Sequence, residues 1–153
     1  MSRRADRRRM GEAFRLAEAG YGRTGANPSV GCIICDRDGH VIAAARTGDG
    51  GRPHAEEIAL QGIGNRAGNG TAYVTLEPCR ERSTGAPSCS ERLIEAGVAR
   101  VVVALADEHP QGAGGNDRLS GQGVRVELGL KQAKAMRLYR GFFDHAKSAG
   151  PAD

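Results

Sequence analysis

No apolar run in this sequence approaches the roughly 18 residues that mark a membrane span, and no apolar segment near the N-terminus resembles a secretion signal. Both absences lead to the expectation of a cytoplasmic protein with no membrane partner. Cysteine is scarce, with 4 in 153 residues, which suits a reducing compartment better than a disulfide framework. The glycine-rich connections lack the lysine-ended pattern of a phosphate loop, so no nucleoside triphosphate site is implied. No internal repeat divides the chain. Charge imbalance is also missing from most of it. Arg3, Arg4, Arg7, Arg8 and Arg9 against Asp6 leave a local net of +4, equal to the formal charge of the whole sequence. The rest is balanced, which leaves no basic track of the kind a polynucleotide substrate requires. Residues 1–9 read as a basic N-terminal tail that is a solvated helix lead-in or an aid to solubility, with nucleic acid or phosphate the partner such a tail would take if it bound one.

What is present fits one domain. At 153 residues, with 39% hydrophobic content and 23 glycines, the chain has length for a substantial core and little room for a second one. The domain is expected to span residues 10–147, with residues 148–153 as a C-terminal tail. The informative stretch runs from Pro53 to Cys89. It offers an imidazole at His54, thiols at Cys79 and Cys89, and a carboxylate at Glu56. Two thiolates and a neutral imidazole are a ligand set for Zn²⁺, and a catalytic site needs only three protein ligands because water takes the fourth position. Glu56, two residues from His54, can stand beside that water without ligating the metal. The bland reading of the same residues is two small buried cysteines and a capped surface histidine.

Local patterning places each of these groups. Pro53 followed by Glu56 and Glu57 marks a helix start, so His54 and Glu56 fall within one turn. Thr71 to Leu76 is β-branched and aromatic enough for a strand that stops at Glu77-Pro78, and Cys79 emerges at its end. Ser88 and Glu91 have capping-box spacing, making Cys89 the first residue of a helix that ends at Gly97. A thiol at that position is expected to ionise more readily.

Elsewhere, Met10, Ala13, Phe14 and Ala17 recur at helical spacing, predicting an amphipathic helix over residues 6–20. Ser29 to Cys35 and His40 to Ala45 read as two strands joined by a turn at Asp36 to Gly39. Cys32 and Cys35 sit three apart on one strand and so point to opposite faces, which excludes them as a metal pair. The glycine-rich residues 46–52 lead to His54 and can shape a cleft rim. Val98 to Leu105 is a nearly continuous apolar strand, as expected for the centre of an α/β layer. Asp107 and His109 follow at its carboxyl edge, where such sheets present functional groups. His109 reads as a rim contact or as a residue without a role, rather than as a fourth metal ligand. Residues 117–122 form a short helix, Val124 to Leu128 a last strand, and Leu130 to Ala146 a terminal helix. The expected architecture is α/β, with a mixed sheet of about five strands covered by helices on both faces.

Asn27-Pro28-Ser29-Val30-Gly31, His54-Ala55-Glu56 and Tyr73-Val74-Thr75-Leu76-Glu77-Pro78-Cys79 resemble the cytidine deaminase superfamily. Within it, they are most similar to the deaminase domain of bifunctional riboflavin-biosynthesis deaminase/reductases. Leu93 to Ala104 and Gly141-Phe142-Phe143 extend the likeness over roughly residues 8–145. The resemblance implies a three-layer α/β/α cytidine-deaminase-like fold. It also implies zinc held by His54, Cys79 and Cys89, proton transfer by Glu56, contact of Asn27 with the heterocycle, and assembly as a homodimer. Ala55, inside the motif, is counted among the substrate contacts. Family members act on an aminopyrimidine carrying a ribosyl phosphate and commonly continue into a reductase domain, so reduction is expected to be done elsewhere.

The substrate rim departs from that family's pattern. Thr47 and Glu81 stand where histidines are expected, Ser83 where a basic residue is expected, and His109 where an asparagine is expected, while Asp107 is retained. Arg80 and Arg82 are the cations left to meet a phosphate. The reading that follows is zinc-dependent hydrolytic deamination of a small aminated pyrimidine or purine-like heterocycle, with specificity diverged from the riboflavin-pathway enzyme. The alternatives are the riboflavin-pathway deaminase itself, a nucleic-acid base deaminase, and a zinc-stabilised interaction module without catalysis.

Overall fold

The computed structural model describes residues 2–82, 84–109 and 112–149, with side chains to Asp144. In chain order the elements are α1 (Arg3–Ala19), β1 (Gly31–Cys35), β2 (Val41–Arg46), α2 (Ala55–Leu60), β3 (Thr71–Val74), α3 (Cys89–Ala96), β4 (Arg100–Val103), α4 (Gly115–Gly121), β5 (Arg125–Leu128) and α5 (Gln132–Ala149). The strands form one sheet in the order β2-β1-β3-β4-β5. β1 is antiparallel to β2 and β3, and β3, β4 and β5 run parallel. The mixed sheet follows from the connections. The Asp36 carboxylate accepts from the Asp38 and His40 N–H groups, both at 2.9 Å, and closes a tight hairpin. Parallel neighbours need longer crossovers, and α3 and α4 supply them.

Both faces of the sheet are covered. Cys32, Ile34, Ala72, Val74, Val101 and Val103 pack with Ala55, Ala59, Leu93 and Leu119 of α2, α3 and α4. Ile33, Cys35, Tyr73 and Val102 pack on the other side with Met10, Ala13 and Phe14 of α1 and with Ala135, Tyr139 and Phe143 of α5. The three layers thus arise from strict alternation along strands buried on both sides. The same alternation sends Cys32 and Cys35 into different cores. Among the described residues, no helix is long and apolar enough to cross a membrane.

The expected boundary after residue 9 falls inside α1. From Arg3 onward the basic segment is helix, not tail: the Ser2 hydroxyl caps it by accepting from Ala5 N–H at 3.1 Å. Asp6, inside that segment, is buried. It accepts from the Tyr73 hydroxyl at 2.6 Å and from Arg100 Nη1 at 3.0 Å, and it also meets Arg100 Nη2. Arg100 Nη2 continues to Glu127 at 2.7 Å, so one guanidinium ties the start of α1 to β4 and β5. At the other end α5 continues to Ala149, past the expected break at 147, and residues 150–153 of the expected tail lie outside the described residues.

Burial of Asp6 works against its ionisation, but the hydrogen bonds from Arg100 and Tyr73 prevail and hold its pKa below the ordinary 3.8. The Arg100 hydrogen bond, opposed by burial and aided by Arg125, holds Glu127 down at about 2. Both folded values lie below the unfolded ones, so this stabilisation is complete above the ordinary carboxylate range and is lost as pH falls from that range through the folded values. Asp6→Asn is expected to cost about 3 kcal/mol at pH 7 because Arg100 loses a buried anionic partner. In urea denaturation, the gap between variant and wild type should narrow from pH 7 to about pH 3. A gap independent of pH would contradict this account.

Candidate active site

The site forms where α2 and α3 begin and where β3 and β4 end. His54 occupies the N-cap of α2, its N–H donating to Glu57 Oε1 at 3.2 Å. Cys89 is the first residue of α3, whose N-cap Ser88 accepts from Glu91 N–H at 3.2 Å. α3 closes at Gly97, which takes a φ of 81° that an L side chain rarely adopts. Cys79 lies past the end of β3, after Glu77-Pro78. Folding brings the three together: His54 Nδ1 stands 3.3 Å from Cys89 Sγ and 3.9 Å from Cys79 Sγ. One ligand atom from each lies within 4.8 Å of the other two.

That triangle fits a tetrahedral ion. Zn–N bonds of about 2.0 Å and Zn–S bonds of about 2.3 Å give ligand–ligand edges of roughly 3.5–3.8 Å. Two sulfurs and a nitrogen are the soft donor set that ion prefers, and three protein donors leave one position open. His109 does not join the group. Glu56, one residue into α2, is only 4% exposed, and burial pushes its carboxyl up to about 7.

The two thiols are hydrogen-bonded to each other. Cys89 is pushed well up, chiefly because its thiol donates to Cys79, while Cys79 is lowered by that hydrogen bond. The first N–H of α3 reinforces this: Cys89 N donates to Cys79 Sγ at 3.2 Å. The helix start therefore serves the sulfur across from it rather than its own.

A cleft opens over these groups. Asn27, Thr47, Glu81, Asp107 and His109 all line it, together with His54, Glu56, Cys79 and Cys89. Asn27 Nδ2 donates to Gly51 O at 3.0 Å, which anchors the glycine-rich loop. The Thr47 hydroxyl is turned inward, accepting from Val30 N–H at 2.9 Å. Asp107 accepts from His109 N–H at 2.8 Å, yet burial still raises it to about 6. The His109 ring stacks on Phe142 with centroids 6.0 Å apart.

Three expected substrate contacts lie elsewhere. Ala55 is fully buried in the core beneath α2, since a methyl at the first helical position points at the sheet. Arg82 is held by Glu57, Nη1 to Oε1 at 2.5 Å. Arg80 lines a separate surface groove with Glu91, Ile94, Glu95 and Arg118. Neither arginine lines the cleft. Ser83 lies outside the described residues.

Glu77 was absent from the expected site residues and proves central to its frame. Its two oxygens accept from Asp107 N at 2.9 Å, Gly114 N at 3.2 Å and Asn116 N at 2.8 Å. Gly112, another lining residue, fits because a Cβ there would fall 1.9 Å from Asp107 Oδ2. The available signal for Glu77 was an acidic residue closing an apolar strand just before Pro78-Cys79.

Fold, cleft and donor set together are of the zinc-binding deaminase type. The family model described as cytidine and deoxycytidylate deaminase zinc-binding region matches residues 3–105. The riboflavin biosynthesis protein RibD of Escherichia coli (strain K12) is 42% identical over 143 residues, covering 93% of this chain and 38% of that protein. The diaminohydroxyphosphoribosylamino-pyrimidine deaminase of Buchnera aphidicola (subsp. Acyrthosiphon pisum) is 36% identical over 143 residues and is covered over 96% of its length. The solved structure of Acinetobacter baumannii RibD (form 2) superposes with a TM-score of 0.85 at 40% identity, covering 96% of this chain and 41% of that one. The chain thus spans about two fifths of the length of the RibD proteins it matches. This protein belongs to the cytidine and deoxycytidylate deaminase family, and it aligns with the deaminase portion of RibD.

Glu77→Gln replaces an acceptor for three backbone donors with a group that donates from one end. A loss of about 2 kcal/mol is expected, accompanied by reduced deamination as the Asp107 loop shifts. Thermal unfolding and ammonia release measure the two effects, and an unchanged melting temperature would refute the framing role.

Proposed function

We propose that this chain hydrolytically deaminates a small aminated pyrimidine or purine-like heterocycle that carries no phosphate. The observation that carries the reading is the charge of the cleft. Among the described residues that line it there is no lysine or arginine, whereas Glu56, Glu77, Glu81 and Asp107 are all there. A phosphate anchor placed there lacks a guanidinium or ammonium counter-charge and meets like-charge repulsion from the carboxylates that are ionised. Arg82 is engaged by Glu57 and Arg80 faces a different groove, so neither offsets that imbalance.

In this reading His54, Cys79 and Cys89 hold Zn²⁺, which when bound lowers the pKa of water enough for hydroxide chemistry near neutral pH. Glu56 takes the proton from water as the C–O bond forms at the ring carbon. It then delivers a proton to the exocyclic nitrogen as the C–N bond breaks and ammonia leaves. Burial suits Glu56 to both steps, because a carboxyl raised to about 7 exchanges protons readily near neutrality. Asn27, at the cleft wall beside the loop it anchors, orients the ring, and Pro28, Leu76 and Phe142 give it apolar surface to lie against. A polynucleotide substrate is disfavoured on the same charge ground. A purely structural zinc would be expected to have four protein ligands and no buried acid beside it.

The second reading is the riboflavin-pathway aminopyrimidine carrying a ribosyl phosphate, favoured by the 36% identical Buchnera aphidicola enzyme whose name specifies that substrate. A comparison of kcat/KM on the phosphorylated pathway intermediate, its dephosphorylated form and free aminopurines and aminopyrimidines separates the two. The dephosphorylated form or a free base should be preferred, and a tenfold preference for the phosphorylated intermediate would overturn the proposal. Glu56→Gln should keep about one zinc per chain while kcat drops by about 10²–10⁴. Loss of metal along with activity would reject the proton-transfer role.

A further inference from the structure

We infer that the outer face of α1, together with the start of α5, is a docking surface for the phosphate backbone of a nucleic acid, separate from the catalytic cleft. At about 100° per residue, Arg4, Arg7, Arg8, Gly11 and Arg15 fall on one face of α1. The four arginines are exposed, and none makes an ion pair with a described residue, in contrast to Arg9, which pairs with Glu12 at 2.9 Å. The gap in the row is Gly11, and a lysine fills it. Lys131 takes a left-handed φ of 58°, and its Nζ sits 3.3 Å from where a Gly11 Cβ would be. Burial lowers the pKa of this amine, and the charges of Lys134, Arg7 and Arg15 lower it further. Lys134 is offset by Glu18 at 3.1 Å, whereas Lys131 has no such partner among the described residues.

The one carboxylate on this face, Glu18 at its end, is taken by Lys134, so the five cations repel one another, and an anion from outside relieves that repulsion. The row from Arg4 to Arg15 is roughly 16 Å long at about 1.5 Å per residue. A single small anion occupies one end of such a line, whereas a strand with one phosphate per about 3.4 Å of rise occupies all of it. A membrane surface fits less well. The remaining exposed residues of α1, Arg3, Glu18 and Ala19, offer no large apolar side chain to insert between lipids. None of the five cations lines the catalytic cleft. Asp6 ties the start of α1 to Arg100, the first residue of β4, while the cleft opens beyond the last residues of β3 and β4. The bound nucleic acid is therefore a tether or partner, not the substrate.

The test is fluorescence anisotropy of the full chain with a labelled 20-base-pair DNA duplex across a salt series. The logarithm of affinity should fall with the logarithm of salt concentration at a slope of about −4, as expected for four to five neutralised phosphates. Arg7→Glu/Arg15→Glu should flatten the slope by about 2 and weaken binding at least tenfold at low salt. Arg37→Glu/Arg140→Glu makes the same charge change at exposed positions off this face and should weaken binding far less. Thermal unfolding checks that each variant folds, and Arg4→Gln/Arg8→Gln replaces the reversal pair if it does not. Truncation of residues 1–9 is avoided because it removes Asp6. Equal weakening by the two double variants, no binding at low salt, or binding to phosphatidylserine vesicles in preference to the duplex would each overturn the proposal.

Discussion

His54, Glu56, Cys79 and Cys89 are packed together largely out of water, and whatever charge they carry must be balanced by other groups rather than by solvent. Part of that balance comes from the backbone, with Cys89 N–H donating to Cys79 Sγ. A divalent cation balances the same thiolates directly, at edges the triangle already presents. Most of the surrounding architecture holds this cluster in place. α2 begins at His54 and α3 at Cys89, so two helix starts converge on one point, and β3 delivers Cys79 between them. Helix starts carry spare N–H donors and partial positive charge, which suits thiolates and an ion-bound site alike.

The rim shows a second kind of dependence, in which one carboxylate positions a loop and others set its charge. Glu77 binds three backbone N–H groups across the connection between β4 and α4. That grip holds Asp107 and His109 at the mouth, with His109 resting on Phe142 from α5. Glu57 performs the opposite service on Arg82, drawing a cation into an ion pair at the edge of the site. Local sequence near the cysteines is rich in arginine, yet the cleft is acidic, because the partners that fold brings decide which charges face a ligand.

At the other end of the sheet, Arg100 binds Asp6 and Glu127 and so joins α1, β4 and β5. This ion network is what makes the basic N-terminal segment part of the domain. It also fixes the rotation of α1, with Met10, Ala13, Phe14 and Ala17 buried and the unpaired arginines turned outward.

The sequence by itself determined the layer architecture and the donor set. Apolar period and turn chemistry are local properties, so the five strands, the hairpin at Asp36 to Gly39, the opposed Cys32 and Cys35 and the helix starting at Cys89 were all legible from neighbouring residues. His54, Cys79 and Cys89 were legible because each stands at the end of a recognisable element and their chemistry is specific. Only the tertiary structure decided that Arg82 belongs to Glu57, that Arg80 faces another groove, that Ala55 is core, and that Asp6 turns a basic tail into an anchored helix. It alone gave Glu77 its three partners and aimed the first N–H of α3 at Cys79. These outcomes rest on contacts between residues distant in sequence. A charged side chain's role depends on which opposite charge or backbone donor the fold places beside it, and local pattern carries no record of that pairing.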